Sequence, residues 1–158
     1  KRVAGHAYEA MECIGGSGAM EGHMMPRLYR EAPINAIWEG SGNVQALDAI
    51  NTIVRAPESK SMYLAELELA KGKNALFDDY VSTLLEELKP TPSLEFNARR
   101  LTNKMAVAYQ ASILLCSDNK LISEAFCASR LGTQDHSLYG NLPDAIDCDA
   151  IIKRASVA

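Results

Sequence analysis

The fold class is decided by residues 101–115, which read LTNKMAVAYQASILL. Apolar side chains recur along this stretch at intervals of three or four residues, which places them on one side of a helix. They are Leu101, Met105, Ala108, Tyr109 and Leu115. A cap at Ser93 and a polar break at residues 117–119 bound the segment. We therefore predict one long amphipathic helix between these two points.

The same helical period continues on both sides of this segment. Downstream it predicts a helix over residues 120–131 and a short last helix that carries Ile151 and Ile152. Upstream it predicts a long helix over residues 59–88 and a helix from a cap at Ser41 or Asn43 to Pro57, preceded by helices over residues 1–14 and 27–32. No segment has the pattern of a strand, so we predict an all-α helical bundle.

Composition and charge exclude several classes of function. The 158 residues carry a formal net charge of −4, and residues 51–158 hold twelve basic against fourteen acidic side chains. No general attraction to nucleic acid or anionic lipid is expected from these numbers. The longest uncharged stretch of that region, residues 105–117, is shorter than the roughly twenty residues that a membrane-spanning helix needs. We predict a soluble, cytoplasmic protein.

Histidine and cysteine residues show no metal-binding pattern. The four cysteines are widely scattered, and His6 and His23 lie far along the chain from His136. Because metal sites need closely spaced ligand pairs or a fold that gathers distant ones, we predict no metal site. The cysteines are interpreted as reduced and mostly buried thiols.

One carboxylate has an unusual local context. Residues 37–43 read IWEGSGN, so Glu39 follows Ile37 and Trp38 on a loop that leads into a helix. Apolar neighbours are predicted to remove water from this carboxylate and make it a stronger base, as abstraction of a weakly acidic proton requires. The glycines after it would let a flat ligand approach the backbone. The alternative interpretation is an ordinary loop carboxylate near a helix N-terminus, where negative charge is favourable.

Three motifs follow one another within the first 43 residues. They read ECIGGSG at residues 12–18, PRLYREA at residues 26–32 and IWEGSGN at residues 37–43. In order and spacing they resemble the C-terminal segment of acyl-CoA dehydrogenases. The common family forms have Gln, Asp, Tyr, Thr and Gln where this chain has Glu12, Glu31, Trp38, Ser41 and Asn43. Those departures, together with the helical region after residue 58, resemble the alkylation-response branch of the family.

The resemblance implies an FAD-dependent enzyme that catalyses α,β-dehydrogenation of an acyl-CoA thioester. Glu39 would be the base that removes the α-proton, and its backbone N–H would help to hold the thioester oxygen. Ser41 and Asn43 would contact FAD. Gly15 and Gly16 would let the backbone approach the FAD diphosphate of a neighbouring subunit. For this glycine pair the alternative is a simple helix C-terminus.

Two further expectations concern charged residues of the motifs. Arg30 and Glu31 are expected to pair with each other and to position the Glu39 loop, and Arg27 is a further member of that group. Glu12 stands where many family members have a Gln facing the diphosphate. A carboxylate at that place repels phosphate, so no FAD contact is assigned to it.

The resemblance also implies an organisation and partners. Residues 1–57 would be the end of the family's C-terminal helical domain with the Glu39 loop, and residues 58–158 would form an additional helical subdomain. The partners would be acyl-CoA, an electron-transfer flavoprotein or similar acceptor, and further copies in a homotetramer. Because the chain starts at Lys1 in mid-helix, we expect a fragment of a larger protein that alone neither binds FAD stably nor turns over substrate. Acyl chain length and branching stay open.

Two other functions fit the sequence less specifically. DNA binding by the helical tail, as the alkylation-response resemblance implies, would use a set of basic residues in its helices. These are Arg99, Arg100, Lys104, Lys120 and Arg130. The alternative for this set is a solvated helix face, because phosphate binding normally draws on an excess of positive charge. The remaining possibility is a structural or oligomerisation module with little activity.

Overall fold

The computed structural model describes residues 1–132 and 139–156. These residues form eight α-helices, no strand, and 3₁₀ helices at Gly15–Ala19 and Ala32–Ala36. The α-helices are α1 Arg2–Ile14, α2 Met25–Glu31, α3 Gly42–Arg55, α4 Pro57–Glu68, α5 Ala75–Glu87, α6 Ala98–Leu115, α7 Lys120–Arg130 and α8 Cys148–Ala155. The predicted all-α fold class is therefore confirmed.

The chain divides into two compact units, Lys1–Asp48 (unit 1) and Ala49–Ala158 (unit 2). The division falls inside α3, between Asp48 and Ala49. The sequence analysis placed a domain boundary between residues 57 and 58, where the family's C-terminal helical domain would end. That boundary stays a prediction.

Unit 1 is built around α1, which packs against α2 and both 3₁₀ helices. Tyr8 of α1 and Tyr29 of α2 meet with ring centroids 6.4 Å apart. Gly18 is buried beneath α1, and a Cβ at this position would lie 2.8 Å from the Met11 carbonyl oxygen. The absence of a side chain there is what allows the 3₁₀ segment to return against α1.

Unit 2 is built around α6, which packs against α4, α5 and α7. Its best-buried large side chains include Phe77, Leu84, Leu101 and Cys127, so three different helices contribute to one core. Burial raises the pKa of the Cys127 thiol to about 11. A thiol that stays protonated in this way behaves as a small apolar group.

Two hydrogen bonds connect α4 with α6 at half-buried or buried positions. The Tyr63 hydroxyl donates to the Met105 carbonyl oxygen at 2.9 Å, and the Ser112 hydroxyl donates to the Glu66 carbonyl oxygen at 2.6 Å. Burial raises the pKa of Tyr63. Ser112, which in sequence interrupts an apolar face with a small polar group, therefore serves packing and hydrogen bonding together.

The long helix predicted over residues 59–88 is wrong, because the chain turns between α4 and α5. Gly72 has a φ of +78°, and its N–H donates to the Asp78 carboxylate at 3.1 Å. The Asn74 side chain then caps α5 by accepting a hydrogen bond from the Phe77 N–H at 3.2 Å. Glycine at positive φ followed by an Asn cap ends one helix and starts another.

The start of the next helix was also predicted too early. Residues 93–97 form turns in which the Asn97 N–H donates to the Ser93 carbonyl oxygen at 3.1 Å, and α6 begins at Ala98. Phe96 lies in these turns and is 92% exposed. The other helix predictions, over residues 1–14 and 120–131 and at Ile151 and Ile152, agree with α1, α7 and α8 within one or two residues.

The expectation of mostly buried cysteines is wrong as well, since Cys127 is buried while Cys13, Cys116 and Cys148 are exposed. Within the described ranges, no cluster of three His, Cys, Asp or Glu side chains could hold a metal ion, and His136 lies outside them. In the same ranges, no helix combines the length and apolar composition needed to cross a bilayer.

Candidate active site

The Glu39 loop is a tight connection between a 3₁₀ helix and α3. The Ile34 carbonyl oxygen accepts hydrogen bonds from the N–H groups of Ile37 at 2.9 Å and Trp38 at 3.1 Å. The Gly40 N–H then donates to the Ile37 carbonyl oxygen at 3.0 Å. These bonds wind the chain through successive turns, so that Glu39 is presented on a defined backbone directly before α3.

Gly40 and Gln45 fasten this loop to the first turn of α3. Gly40 has a φ of +113°, which favours glycine, and the Gln45 side-chain amide donates to the Glu39 carbonyl oxygen. A Cβ at Gly40 would lie 3.3 Å from that amide nitrogen. The sequence prediction missed Gln45; the available signal was a Gln in the first turn of a helix, where its side chain can reach back to the entering chain.

The carboxylate of Glu39 is exposed, contrary to the predicted shielding. Trp38 is 67% exposed and Ile37 is 60% exposed, so neither side chain covers it. The prediction rested on neighbours in sequence, but successive residues of this turn point into solvent instead of against each other. Within the described part of the chain, Glu39 therefore stays accessible to water.

The backbone amide of Glu39 is available to a ligand. Among the residues that the structure describes, none accepts a hydrogen bond from the Glu39 N–H. The side-chain carboxylate and this donor belong to one residue on an ordered loop. A single site can thus offer both a proton acceptor and a hydrogen-bond donor to the same bound molecule.

Gly15 and Gly16 end α1 in the way that the alternative interpretation predicted. Gly15 has a φ of +73°, and its N–H donates to the Glu12 carbonyl oxygen as the helix cap. A Cβ built at either glycine meets no other atom within 4 Å. The positive φ explains the glycine at position 15, whereas nothing in the fold itself requires the glycine at position 16.

Glu12, one turn before this glycine pair, accepts a hydrogen bond from the Tyr8 hydroxyl. This bond and the negative charge of Glu12 raise the pKa of Tyr8. The carboxylate therefore interacts with a residue four positions earlier on its own helix.

The arginines near the loop pair differently from the prediction. Arg30 forms two hydrogen bonds with the Glu21 carboxylate, at 2.7 and 3.2 Å, and not with Glu31. The Arg30 guanidinium holds the pKa of Glu21 below its ordinary value. Glu31 pairs with Arg27 at 3.0 Å, four residues away on α2. Helical spacing favours the pair at i and i+4 over neighbours in sequence, which point in different directions.

Ser41 and Asn43 lie at the entrance of α3, two and four residues after Glu39, and both are exposed. The Ser41 carbonyl oxygen accepts the first hydrogen bond of the helix from the Gln45 N–H at 3.1 Å. A hydroxyl, an amide, a carboxylate and a helix N-terminus are thus presented together to solvent. The exposed glycine backbone at residues 15 and 16 belongs to the same unit, whose α1 packs against the 3₁₀ helix that precedes the loop.

Two of the basic residues that the DNA-binding prediction named, Arg100 and Lys104, share one carboxylate. Glu87 accepts hydrogen bonds from Arg100 at 2.9 Å and from Lys104 at 2.9 Å. Partial burial pushes the pKa of Glu87 upward, but these hydrogen bonds outweigh it and lower the pKa. Lys104 also lies over the Tyr80 ring, 5.6 Å from its centroid. Arg100 and Lys104 are thus already paired within unit 2, while DNA binding by the basic set and its alternative of a solvated helix face both stay predictions.

The sequence that carries the site is similar to known proteins. Residues 2–54 match the family model of the acyl-CoA dehydrogenase C-terminal domain. Over 135 residues, or 85% of this chain and 24% of the relative, the sequence is 33% identical to AidB of Escherichia coli K12, whose name places it among the acyl-CoA dehydrogenases.

Two further relatives carry names from the same family. Acyl-CoA dehydrogenase family member 11 of Caenorhabditis elegans is 48% identical over 42 residues, which are 27% of this chain and 7% of that protein. Butyryl-CoA dehydrogenase of Syntrophomonas wolfei is 27% identical over 143 residues, which are 81% of this chain and 23% of that protein. The chain spans about a quarter of the length of AidB and of the butyryl-CoA dehydrogenase. Residues 2–54, which include the Glu39 loop, thus match the C-terminal domain of the acyl-CoA dehydrogenase family.

Proposed function

We propose that this chain supplies the catalytic base and part of the FAD site of an acyl-CoA dehydrogenase that introduces an α,β double bond into an acyl-CoA thioester. The observation that carries the proposal is the Glu39 loop: an exposed carboxylate and a backbone N–H without an acceptor in the described chain, on a segment that matches the family model. No other carboxylate of the chain stands in the corresponding motif.

Glu39 would accept the α-proton of the thioester. Its side chain is open to a ligand from outside, and the bonds from Gln45 and within residues 34–40 define the backbone that carries it. Fixed positioning matters because proton transfer requires the base within hydrogen-bond distance of the carbon acid. Shielding from water, which Trp38 and Ile37 do not supply in this chain, would come from the bound acyl group and flavin.

The Glu39 N–H would stabilise the charge that develops on the thioester oxygen as the proton leaves. A backbone donor aimed at such an oxygen acts as an oxyanion hole and lowers the barrier without reorganisation. The Gln45 side chain donates to the Glu39 carbonyl oxygen, so the Glu39 N–H is left for the ligand. The proton acceptor and the oxyanion donor are then the side chain and the backbone N–H of one residue, and both move together with the loop.

Ser41, Asn43 and the backbone at Gly15 and Gly16 would hold FAD. The exposed hydroxyl and amide suit polar contacts with the cofactor, and the open space at both glycines suits a phosphate that approaches the backbone. When bound, FAD supplies the acceptor for the hydride that leaves the β-carbon. A separate electron carrier such as an electron-transfer flavoprotein, and assembly as a homotetramer, complete the proposal.

The base is tested with Glu39→Gln in a polypeptide that joins this chain to the remaining parts of an acyl-CoA dehydrogenase. We expect reduction of the flavin by acyl-CoA to slow by about 10³-fold, because the amide cannot accept the proton. FAD content and acyl-CoA binding should be retained. Glu31→Gln is the matched control, because Glu31 forms an exposed ion pair with Arg27 on α2, and its rate should stay at the unmodified level. An unchanged rate for Glu39→Gln contradicts the proposal.

The FAD contact is tested with Gly16→Ala. Because a Cβ at residue 16 meets no atom of this chain, the thermal unfolding of the chain should not change. In the same joined polypeptide the substitution should weaken FAD retention, since the methyl group occupies the space proposed for the diphosphate. Gly22→Ala, at an equally open loop position, is the control. Equal FAD retention in both variants would exclude the diphosphate role of Gly16.

A further expectation concerns the 158-residue chain on its own. Its candidate site residues are exposed, so the described residues offer no enclosed site for an isoalloxazine ring. We expect the purified chain to bind no stable FAD and to catalyse no acyl-CoA oxidation. Flavin absorbance that persists through gel filtration of the purified chain would contradict this expectation.

A further inference from the structure

An open groove separates α4 from α5 in unit 2. Both helices rest on α6, and the turn at Gly72 joins them. The groove has a volume of about 590 Å³. Its walls are apolar, with Leu64 and Leu67 on one side and Phe77, Val81 and Leu85 on the other. Because the two walls belong to consecutive helices, the groove is a built feature of this fold and not a gap between units.

Charged residues mark the end of the groove near the turn. Glu68 and Lys71 pair with each other at 2.7 Å, and the Asp78 carboxylate accepts the N–H of Gly72. Two acidic groups against one basic group give this end an excess negative charge. An occupant with an apolar face and a basic end complements such a groove.

The last helix of the same chain has these properties. In α8 the residues at i, i+3, i+4 and i+7 are Cys148, Ile151, Ile152 and Ala155, a continuous apolar stripe. None of its residues is buried, and Ile152 is 63% exposed. Its last turn carries Lys153 and Arg154.

The helix is also a defined element of suitable length. The Asp147 side chain caps α8 by accepting a hydrogen bond from the Ala150 N–H at 2.9 Å. Eight helical residues extend over about 12 Å, and the stretch of α5 from Phe77 to Leu85 covers a similar distance of about 12 Å. A short amphipathic helix laid into an apolar groove through i, i+3, i+4 and i+7 anchors is a recurring mode of recognition.

We propose that the groove between α4 and α5 binds α8 of a second copy of this chain. The molecule's own α8 does not line the groove, and its apolar stripe is only partly covered, with Ile151 half-buried and Ile152 63% exposed. The intramolecular arrangement therefore covers neither surface fully. Ile151 and Ile152 enter between the apolar walls, and the basic last turn lies at the acidic end. If both copies exchange α8, the two contacts are equivalent and the product is a symmetric dimer.

The test measures association of the whole chain by sedimentation equilibrium over a range of concentrations. Ile152→Glu places a charge on the apolar stripe at an exposed position, so folding is not affected. Ser82→Trp fills the groove from an exposed residue that lines it. Each should raise the dimer dissociation constant by about tenfold or more. Met62→Glu and Thr83→Trp, at exposed residues of α4 and α5 that do not line the groove, are matched controls that should leave it unchanged.

A mixture of the two disrupted variants identifies the occupant. Ile152→Glu retains an intact groove and Ser82→Trp retains an intact α8, so the mixed dimer regains one of the two contacts and should form more readily than either variant alone. A monomeric unmodified chain overturns the proposal. So does association that neither substitution changes, or a mixture that associates no better than its components.

Discussion

Unit 1 and unit 2 differ in where their apolar side chains lie. The five largest fully buried side chains of the described residues, Phe77, Ile50, Leu84, Leu101 and Cys127, all belong to unit 2. Unit 1 buries small or flexible residues such as Met25 and Ala32, while Trp38, Ile37 and Ile34 are exposed. The region with the family motifs thus has the weaker core of its own, and the region without them has the stronger one.

Together with the proposed function, this difference assigns most of the stability to unit 2 and the proposed chemistry to unit 1. A well-packed core resists change because each buried group contacts many others. The exposed apolar residues around Glu39 contribute little to unit 1 but remain free to cover a substrate or cofactor. Substitutions should therefore show their largest effects on unfolding in unit 2 and their largest effects on activity in unit 1.

The largest effect on unfolding is expected for Leu84→Ala. This side chain is fully buried between α5 and its neighbours, so its truncation removes buried apolar surface and leaves a cavity. The free energy of unfolding should fall by about 3 kcal/mol, measured by urea denaturation of the chain. Leu85→Ala, at the next residue and 37% exposed, is the control and should cost less than about 1 kcal/mol. Equal costs would break the comparison between buried and exposed positions.

A smaller effect is expected when a buried hydrogen bond between helices is removed. Ser112→Ala deletes the donor to the Glu66 carbonyl oxygen and should lower the free energy of unfolding by about 1 kcal/mol. Ser117→Ala removes a similar bond to the Leu114 carbonyl oxygen at an exposed position and should change it much less. If the exposed and buried serines behave alike, the connection between α4 and α6 is not a source of stability.

The ion pairs of Glu87 predict a dependence of unfolding on pH. Hydrogen bonds from Lys104 and Arg100 lower the pKa of Glu87 in the folded state. The ionised form is thus the stabilising one, so its contribution is complete above the ordinary carboxyl pKa and is lost as pH falls through the lowered value. We expect about 0.5 kcal/mol after screening by solvent. The measurement is the urea midpoint of unfolding as a function of pH. In Glu87→Gln the part of its decrease at acid pH that comes from this carboxylate should disappear, whereas Glu86→Gln should retain it.

The smallest effect on unfolding is expected for Trp38→Ala. Despite its size, this side chain is mostly in solvent, and its loss should change the free energy of unfolding of the chain by less than about 0.5 kcal/mol. In the joined dehydrogenase polypeptide the same substitution should weaken acyl-CoA binding, because Trp38 lies beside Glu39. A large loss of stability without loss of binding would show that Trp38 contributes to the core of unit 1.

Much of the fold could be predicted from local sequence. Gly15 ends α1 and Gly132 follows α7 near its predicted end, because apolar period and helix-ending residues act within a few positions. The break at Gly72 was also available, since an Asn cap at residue 74 follows it, but the apolar pattern continues through both α4 and α5 and conceals the turn. Patterns of burial alone do not distinguish one long helix from two that share a core.

The sequence by itself determined the helices, the family motifs and the position of Glu39 at the entrance of α3, because these depend on residues within one or two turns of each other. Only the tertiary structure decided which side chains are covered and which partners they find. Trp38 is exposed, Arg30 pairs with Glu21, and Glu87 holds two cations from α6. Burial and pairing of this kind depend on groups that are distant along the chain and meet only after it has folded.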